Sequence, residues 1–269
     1  MNKKWYKLVF RQEEPIHIGK GSYGVLSETR IIIPGWTIWG ALVNKYVKDK
    51  NGTENYEKTG KLFEVISCFY PSIGEKGSVL FPEYRKGQFC LGEYTEEDFR
   101  AMFVDVNVST AIEPETRATK DVSLHEVEAI LHKPKDSLKS QFKQLHWTGL
   151  LGIRNNSEDI LGFLRKGMKI IVGGEGRYGF GRMELVNIEG IEDLCDWGID
   201  LEGRPTTDIP LRNYMEYCDG CLKLGELEHI IVDADFSKAT PTIKNSKICL
   251  VPGSIANATG RLIKGIYHQ

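Results

Sequence analysis

Apolar residues alternate with polar ones in several short runs of the chain and recur at three- and four-residue spacing in others, which separates strands from helices. Trp5 to Phe10, aromatic and β-branched, predicts a strand that Ile16 to Gly19 extends after the break at Glu13-Glu14-Pro15. A glycine-rich loop, Gly19 to Gly24, follows. Ile38, Ala41, Leu42 and Tyr46 fall on one helical face, with Thr37 placed to cap the start. Glu57 to Tyr70 also reads as helical. Val79 to Phe81 and Gln88 to Leu91 predict a short hairpin. Thr95-Glu96-Glu97-Asp98 is a strong helix start whose acidic residues suit the positive end of the helix dipole.

Val104 to Ile112 alternates as a strand. A polar stretch, Glu113 to Asp121, leads to a strand at Leu124 to Ile130. Further strands are expected at Leu145 to Ile153, Met168 to Val172 and Met183 to Ile188. A helix capped by Asn156 or Ser157 and running to about Lys166 precedes the second of them. This order is α+β. Beyond Glu189 the texture changes: Gly190 to Arg212 is turn-rich, Asn213 to Cys218 reads as a short helix, and His229 to Ala234, Lys247 to Val251 and Leu262 to Tyr267 read as strands. Residues 1–189 are thus expected to form the main domain, and 190–269 either a smaller C-terminal subdomain or a long decoration of it.

With 41% hydrophobic residues in 269, a sizeable core is assured. Lys and Arg number 35 against 37 Asp and Glu, a net charge of −2. Any surface for a polyanion must therefore be a local patch, and near-neutrality suits a subunit that shares its ligand with neighbours. Six scattered cysteines in a chain large enough to fold without staples, and an N-terminus lacking a long apolar run, imply a reducing, cytoplasmic setting. No stretch approaches the roughly 18 apolar residues of a membrane-spanning helix, and no cofactor is expected.

Three motifs imitate known chemistry. Gly19-Lys-Gly-Ser-Tyr-Gly24-Val25 has the glycine pattern of a kinase nucleotide loop, yet the lysine, HRD and DFG partners are missing. Gly174-Glu-Gly-Arg-Tyr-Gly179 fits a dinucleotide fingerprint, which needs a helix to follow; Met183 to Ile188 alternates as a strand instead. Cys218-Asp-Gly-Cys221 has knuckle spacing for a metal or redox pair, with Cys195 and His229 as the only further ligands in view. Two ordinary cysteines flanking a turn are the more economical reading.

Three segments in order resemble the RAMP (repeat-associated mysterious protein) superfamily, whose members hold CRISPR RNA. Pro15-Ile-His-Ile-Gly19 with Ile33-Pro-Gly-Trp-Thr-Ile-Trp-Gly-Ala-Leu42 looks like the family's opening strand and helix entry. Thr110-Ala-Ile-Glu-Pro-Glu-Thr-Arg-Ala-Thr-Lys120 with Leu124-His-Glu-Val-Glu128 is similar to its central hairpin, and Gly173-Gly-Glu-Gly-Arg-Tyr-Gly-Phe-Gly-Arg182 to its glycine-rich loop. The resemblance implies a ferredoxin-like, RNA-recognition-type α+β domain with insertions, and Val251-Pro-Gly-Ser-Ile255, an echo of Ile33-Pro-Gly-Trp, suggests a degenerate second ferredoxin-like half. It also implies a non-catalytic subunit of a type III CRISPR effector complex, with guide RNA, other CRISPR-associated subunits and target RNA as partners.

The residues support that reading in their own right. Gly173, Gly174, Gly176, Gly179 and Gly181 let backbone N–H groups approach a phosphate or base, Arg177 and Arg182 add charge, and Tyr178 offers a stacking face. Arg117 and Lys120 sit in a polar stretch free to reach outward. Gly35 and the helix after it form an N-terminus suited to an anion, whereas Trp36 and Trp39 favour packing. A ribonuclease of the same superfamily is the alternative. Its candidates are His17, a side-chain type used as a general acid or base, and Glu28, a residue next to Arg30 that more often makes a surface ion pair. An RNA-independent interaction subunit is a third reading.

Overall fold

The computed structural model describes residues 3–120, 123–135, 144–154, 158–206, 209–235, 240 and 242–269. In chain order the first part contains β1 (Lys3–Gln12), β2 (Gly19–Tyr23), β3 (Leu26–Thr29), α1 (Gly35–Asp49), α2 (Tyr56–Leu62), β4 (Tyr70–Ile73), β5 (Pro82–Arg85), β6 (Gln88–Leu91) and β7 (Tyr94–Thr95). Then come α3 (Glu96–Phe103), β8 (Val104–Ser109), β9 (His125–Ile130), β10 (Leu145–Arg154), α4 (Glu158–Phe163), β11 (Lys169–Ile171) and β12 (Arg182–Ile191). The remainder is β13 (Tyr214–Glu216), β14 (Leu222–Leu224), β15 (Leu227–Asp235), β16 (Thr242–Leu250), β17 (Ile255–Ala256), β18 (Arg261–Ile263) and β19 (Ile266–His268).

The central sheet has the order β11-β12-β1-β10-β4, antiparallel throughout. Removing the added edge strand β11 leaves β1-α1-β4-β10-α4-β12, with β1 and β10 in the middle, which is the ferredoxin-like pattern. β10 is buried along nine of its ten residues, as expected of a strand covered on both faces. α1 packs through Ile38, Ala41, Leu42 and Tyr46, and its end at Lys50 is followed by Asn51 and Gly52 with positive φ. α3 starts as its sequence predicts: the Thr95 side chain accepts from the Asp98 N–H, and Phe99 and Phe103, one turn apart, bury their rings.

Several local expectations give way to tertiary pairing. The Gly19 to Gly24 loop is itself a strand and turn, β2 paired with β3. Pro34, not Thr37, occupies the N-cap of α1, without a side-chain cap. The helix expected over Glu57 to Tyr70 ends at Leu62, because the chain beyond it is drawn along β10: Ser67 donates to Leu150, and Gly152 to Val65. The hairpin's first arm is Pro82–Arg85, since Val79 bridges to Ser72 instead. Asn213 to Cys218 contains a strand, β13, clasped between β16 and β19. Leu262 to Tyr267 is a hairpin, not one strand, turning at Lys264 and Gly265, both with positive φ. The caps proposed at Asn156 and Ser157 lie outside the described residues.

Residues 190–269 hold no α-helix among the described residues, and so carry no βαβ unit; their main sheet is β15-β16-β13-β19-β18. They share one hydrophobic core with the first part. Cys68 N–H donates to Asn213 Oδ1 (2.8 Å), Arg212 Nη1 to the Pro82 carbonyl (2.7 Å), and Gly265 N–H to the Ile66 carbonyl (2.7 Å). The turn at Gly265 sits against the first residue of α1 so closely that a Cβ on Gly35 would lie 2.5 Å from the Gly265 nitrogen.

Candidate nucleic-acid interface

The glycine-rich segment connects β11 to β12 at one edge of the central sheet, a strand-loop-strand unit as its flanking alternation requires. Its ends are clamped. Val172 N–H donates to the Gly181 carbonyl (2.9 Å), Gly181 N–H to the Pro15 carbonyl (2.8 Å), and Gly174 N–H to the His17 carbonyl (2.9 Å). Gly173 and Gly181 have φ of 77° and 87°, and a Cβ on either would meet a backbone carbonyl oxygen at 2.1 Å. Those two glycines are needed by the fold. Between them the loop stands out: Glu175 adopts φ 57°, residues Gly176–Tyr178 form a single 3-10 turn, and a Cβ on Gly179 would meet nothing within 4 Å.

The exposed stretch carries Arg177 and Tyr178. Tyr178 is 77% exposed, and Arg177 makes no ion pair or side-chain hydrogen bond with any described residue. Arg182 differs. It begins β12, and its guanidinium pairs with Glu14 and, at 3.2 Å, with Glu13, so much of its charge is spent within the protein. Sequence spacing alone did not reveal this, because the partners lie about 170 residues away.

His17 lies beneath the loop. It is buried, its carbonyl accepts from Gly174, and its Nδ1 is 2.8 Å from the Glu128 carbonyl on β9. A ring whose Nδ1 is held by a carbonyl carries its proton there. His17 thereby joins the glycine loop to the base of the β8–β9 hairpin. At the far end of that ladder the chain turns through residues 110–120. There Arg117 N–H donates to the Glu113 carbonyl (2.9 Å) and Lys120 N–H to the Ala111 carbonyl (2.8 Å), and both side chains are exposed. The structure brings the glycine loop to the hairpin's base and leaves Arg117 and Lys120 at its tip.

Glu28 does not pair with Arg30. Its Oε1 takes Lys20 Nζ and Arg100 Nη2, each at 3.1 Å, while Arg30 is held by Glu228 and by the Tyr214 hydroxyl (3.2 Å). The reason is topological: the fold brings Lys20 of β2 and Arg100 of α3 to Glu28, and Glu228 of β15 to Arg30. A carboxylate neutralised by two cations is a poor metal ligand. The α1 N-terminus is occupied by the Lys264-Gly265 turn and is closed to an anion there. Trp36 packs on Tyr214 with ring centroids 5.0 Å apart, and Trp39 donates to the Gly60 carbonyl and lies under Lys264.

The Cys218–Cys221 turn is closed on itself, Cys218 N–H donating to Cys221 Sγ (3.3 Å) and Cys221 N–H to the Cys218 carbonyl (3.2 Å). Burial, then contact with Cys218, raises the Cys221 thiol pKa. His229 is engaged with Ser246, and no group of three or more His, Cys, Asp or Glu positioned for a metal occurs among the described residues. No described helix is long and apolar enough to cross a membrane.

A cleft of about 300 Å³, which sequence reasoning did not anticipate, opens beside the loop between Gly173, Gly19 and Lys20 of β2, Thr37 of α1 and His229 of β15. A ferredoxin-like sheet with a glycine loop at one edge and a projecting hairpin defines a ferredoxin-like α+β protein with insertions. The profile of the RAMP superfamily matches residues 11–184, well over half of the chain, and the chain belongs to that superfamily. No curated protein sequence matches it. Among solved structures it is similar to a chain of the type III-B Cmr-beta complex bound to cognate target RNA and AMPPnP, with TM-score 0.62 and 16% identity over 93% of this chain and 85% of that one. A chain of the same complex bound to cognate target RNA aligns with TM-score 0.60 and 15% identity, over 93% and 86%. At that identity the likeness is one of fold.

Proposed function

We propose that the protein is a non-catalytic RNA-binding subunit of a type III CRISPR effector ribonucleoprotein, working in the cytoplasm. In this reading the guide RNA runs over the loop of Gly174, Gly176, Arg177, Tyr178 and Gly179, and the hairpin tip with Arg117 and Lys120 reaches the guide or its duplex with target RNA. The observation that carries it is the combination of Arg177, which has no ion pair or side-chain hydrogen bond among the described residues, with an exposed Tyr178 on a loop clamped at both ends. A cation held out to solvent without a partner is available for phosphate, and an exposed ring for stacking. Membership in a superfamily that holds CRISPR RNA and the likeness of fold to Cmr-beta chains support the same reading. The tied states of His17 and Glu28 favour a scaffold over a nuclease.

The test is binding of repeat-derived RNA by the full-length protein over a salt series, with a parallel search for cleavage with and without Mg²⁺. Each phosphate contact to single-stranded RNA contributes about 0.7 to the slope of log K against log salt, so Arg177→Ala should lower the slope by about that amount. Failure of the wild type to bind at low salt refutes the reading. Cleavage abolished by His17→Ala or Glu28→Gln refutes its non-catalytic part.

A further inference from the structure

A second cleft, of about 290 Å³, lies on the other side of Lys20 and Arg30, which line both it and the cleft beside the glycine loop. Its walls come from four places: Tyr23 on the β2–β3 hairpin, Tyr84 and Phe89 on the β5–β6 hairpin, α3, and Glu226 and Leu227 at the start of β15. The volume is at the lower end of those that hold small organic groups, roughly 300 Å³ upward. The charges lining it balance, with Lys20, Arg30 and Arg100 against Glu96, Glu226 and Glu228. All but one of these six are already paired: Arg30 with Glu228, Arg100 with Glu96, and Lys20 with Glu28 outside the lining. Glu226 is the exception, forming no ion pair with any described residue.

The Tyr84 hydroxyl stands beside it. Its oxygen is buried with no hydrogen-bond partner among the described residues, and the Glu226 carboxylate lies close by outside good hydrogen-bond geometry. Burial first, and then the Glu226 charge, raises the phenol pKa, which keeps it a neutral donor. Tyr84 and Phe89 pack edge to face, 5.5 Å between centroids, and Tyr23 at the mouth is 70% exposed. A balanced lining does not attract phosphate, and aromatic walls with one carboxylate outside any ion pair among the described residues suit a flat, neutral, hydrogen-bonding heterocycle.

We propose that this cleft takes one unstacked base of the bound RNA and that Glu226 reads its donor edge, which selects guanine. An ionised carboxylate only accepts hydrogen bonds. Guanine presents two adjacent donors, N1–H and the N2 amine, so both carboxylate oxygens are used at once, and the Tyr84 hydroxyl, a neutral donor, is left for an acceptor of the same base. The strand reaches the cleft from the glycine loop by crossing Lys20 and Arg30, so the proposal rests on the RNA-binding reading above and adds sequence preference to it.

The full-length protein is used to select from a randomised single-stranded RNA pool, and the affinity of the selected RNA is measured with guanine or inosine at the preferred position. Inosine lacks only the N2 amine. Selected RNAs should share a guanine at one position, and inosine there should weaken binding by about tenfold, the scale of a bidentate base contact. Glu226→Gln, an exposed position whose change leaves the fold intact, should bind guanine and inosine RNAs alike. Tyr84→Phe should weaken binding of the guanine RNA without lowering the melting temperature. RNA that binds with no base preference, and still weakens in Arg177→Ala, overturns the pocket while leaving the RNA reading in place. A cleft that crosslinks from Glu226 to a neighbouring protein chain rather than to RNA in an assembled complex also overturns it. Absence of any RNA binding overturns both.

Discussion

Gly179 and Gly181 have nearly the same backbone conformation, φ 88° and 87°, in opposite surroundings, and replacing each with alanine separates the fold's need for glycine from the ligand's. Both variants carry the penalty of an L-residue in the left-handed region, about 1–2 kcal/mol. For Gly179 that is the whole cost, because its new Cβ meets nothing within 4 Å. For Gly181 the Cβ would lie 2.1 Å from the Val172 carbonyl oxygen, the same residue whose N–H holds the Gly181 carbonyl. That overlap cannot be relieved by a rotamer change, and small-to-large changes in packed sites add about 1–3 kcal/mol more. At roughly 2–4 °C per kcal/mol for a chain of this size, Gly179→Ala should lower the melting temperature by a few degrees and Gly181→Ala by about 10 °C. Calorimetry reads the difference. RNA binding below both transitions reads the consequence: Gly179→Ala puts a methyl on the open face of the loop and should weaken binding although the protein stays folded. Equal melting temperatures for the two variants would refute the assignment of Gly181 to the fold, and RNA affinity unchanged in Gly179→Ala would take the open face out of the binding surface.

Arg100 holds Glu28, Glu96 and Glu128 and donates to the Thr29 carbonyl. Arg100→Met should therefore cost about 1–3 kcal/mol in urea unfolding, discounted for partial exposure, and Glu128→Gln in the same chain should recover part of it. Glu216 is held between Lys247 and His268; burial opposes its charge, but these two partners outweigh it and depress its pKa. Its stabilisation is complete above the ordinary carboxylate pKa and is lost as pH falls through the depressed one, so Glu216→Gln should flatten the decline of melting temperature between pH 5 and about 3. Burial pushes the Cys68 and Cys249 thiols up to about 12, leaving almost no thiolate at pH 8. A disulfide reagent should label exposed Cys195 first, and those two only at the rate of unfolding. Because residues 1–189 and 190–269 share a core, we expect one cooperative thermal transition; two well-separated transitions would make the C-terminal part an independent unit.

Local pattern determined much of this protein. β1, β10, β12, α1 and α3 lie where the strand and helix patterns and the Thr95 cap place them, since each is a segment whose local preference agrees with the structure around it. The glycine loop's strand-loop-strand setting was legible for the same reason, as were the family resemblance and the packing roles of Trp36 and Trp39. Tertiary structure decided the rest, wherever a segment's partner lies far along the chain. Asn213 to Cys218 has no helix because β16 and β19 satisfy its backbone from both sides, and the segment after Leu62 leaves the helix to bond with β10. Charge followed the same rule: Glu28 turned to Lys20 and Arg100, Arg30 to Glu228, and Arg182 to Glu13 and Glu14. An ion pair is set by distance in space, which the linear sequence does not encode at these separations. The cleft between Tyr84 and Glu226 was out of reach for that reason, since its walls are some 140 residues apart until the fold closes.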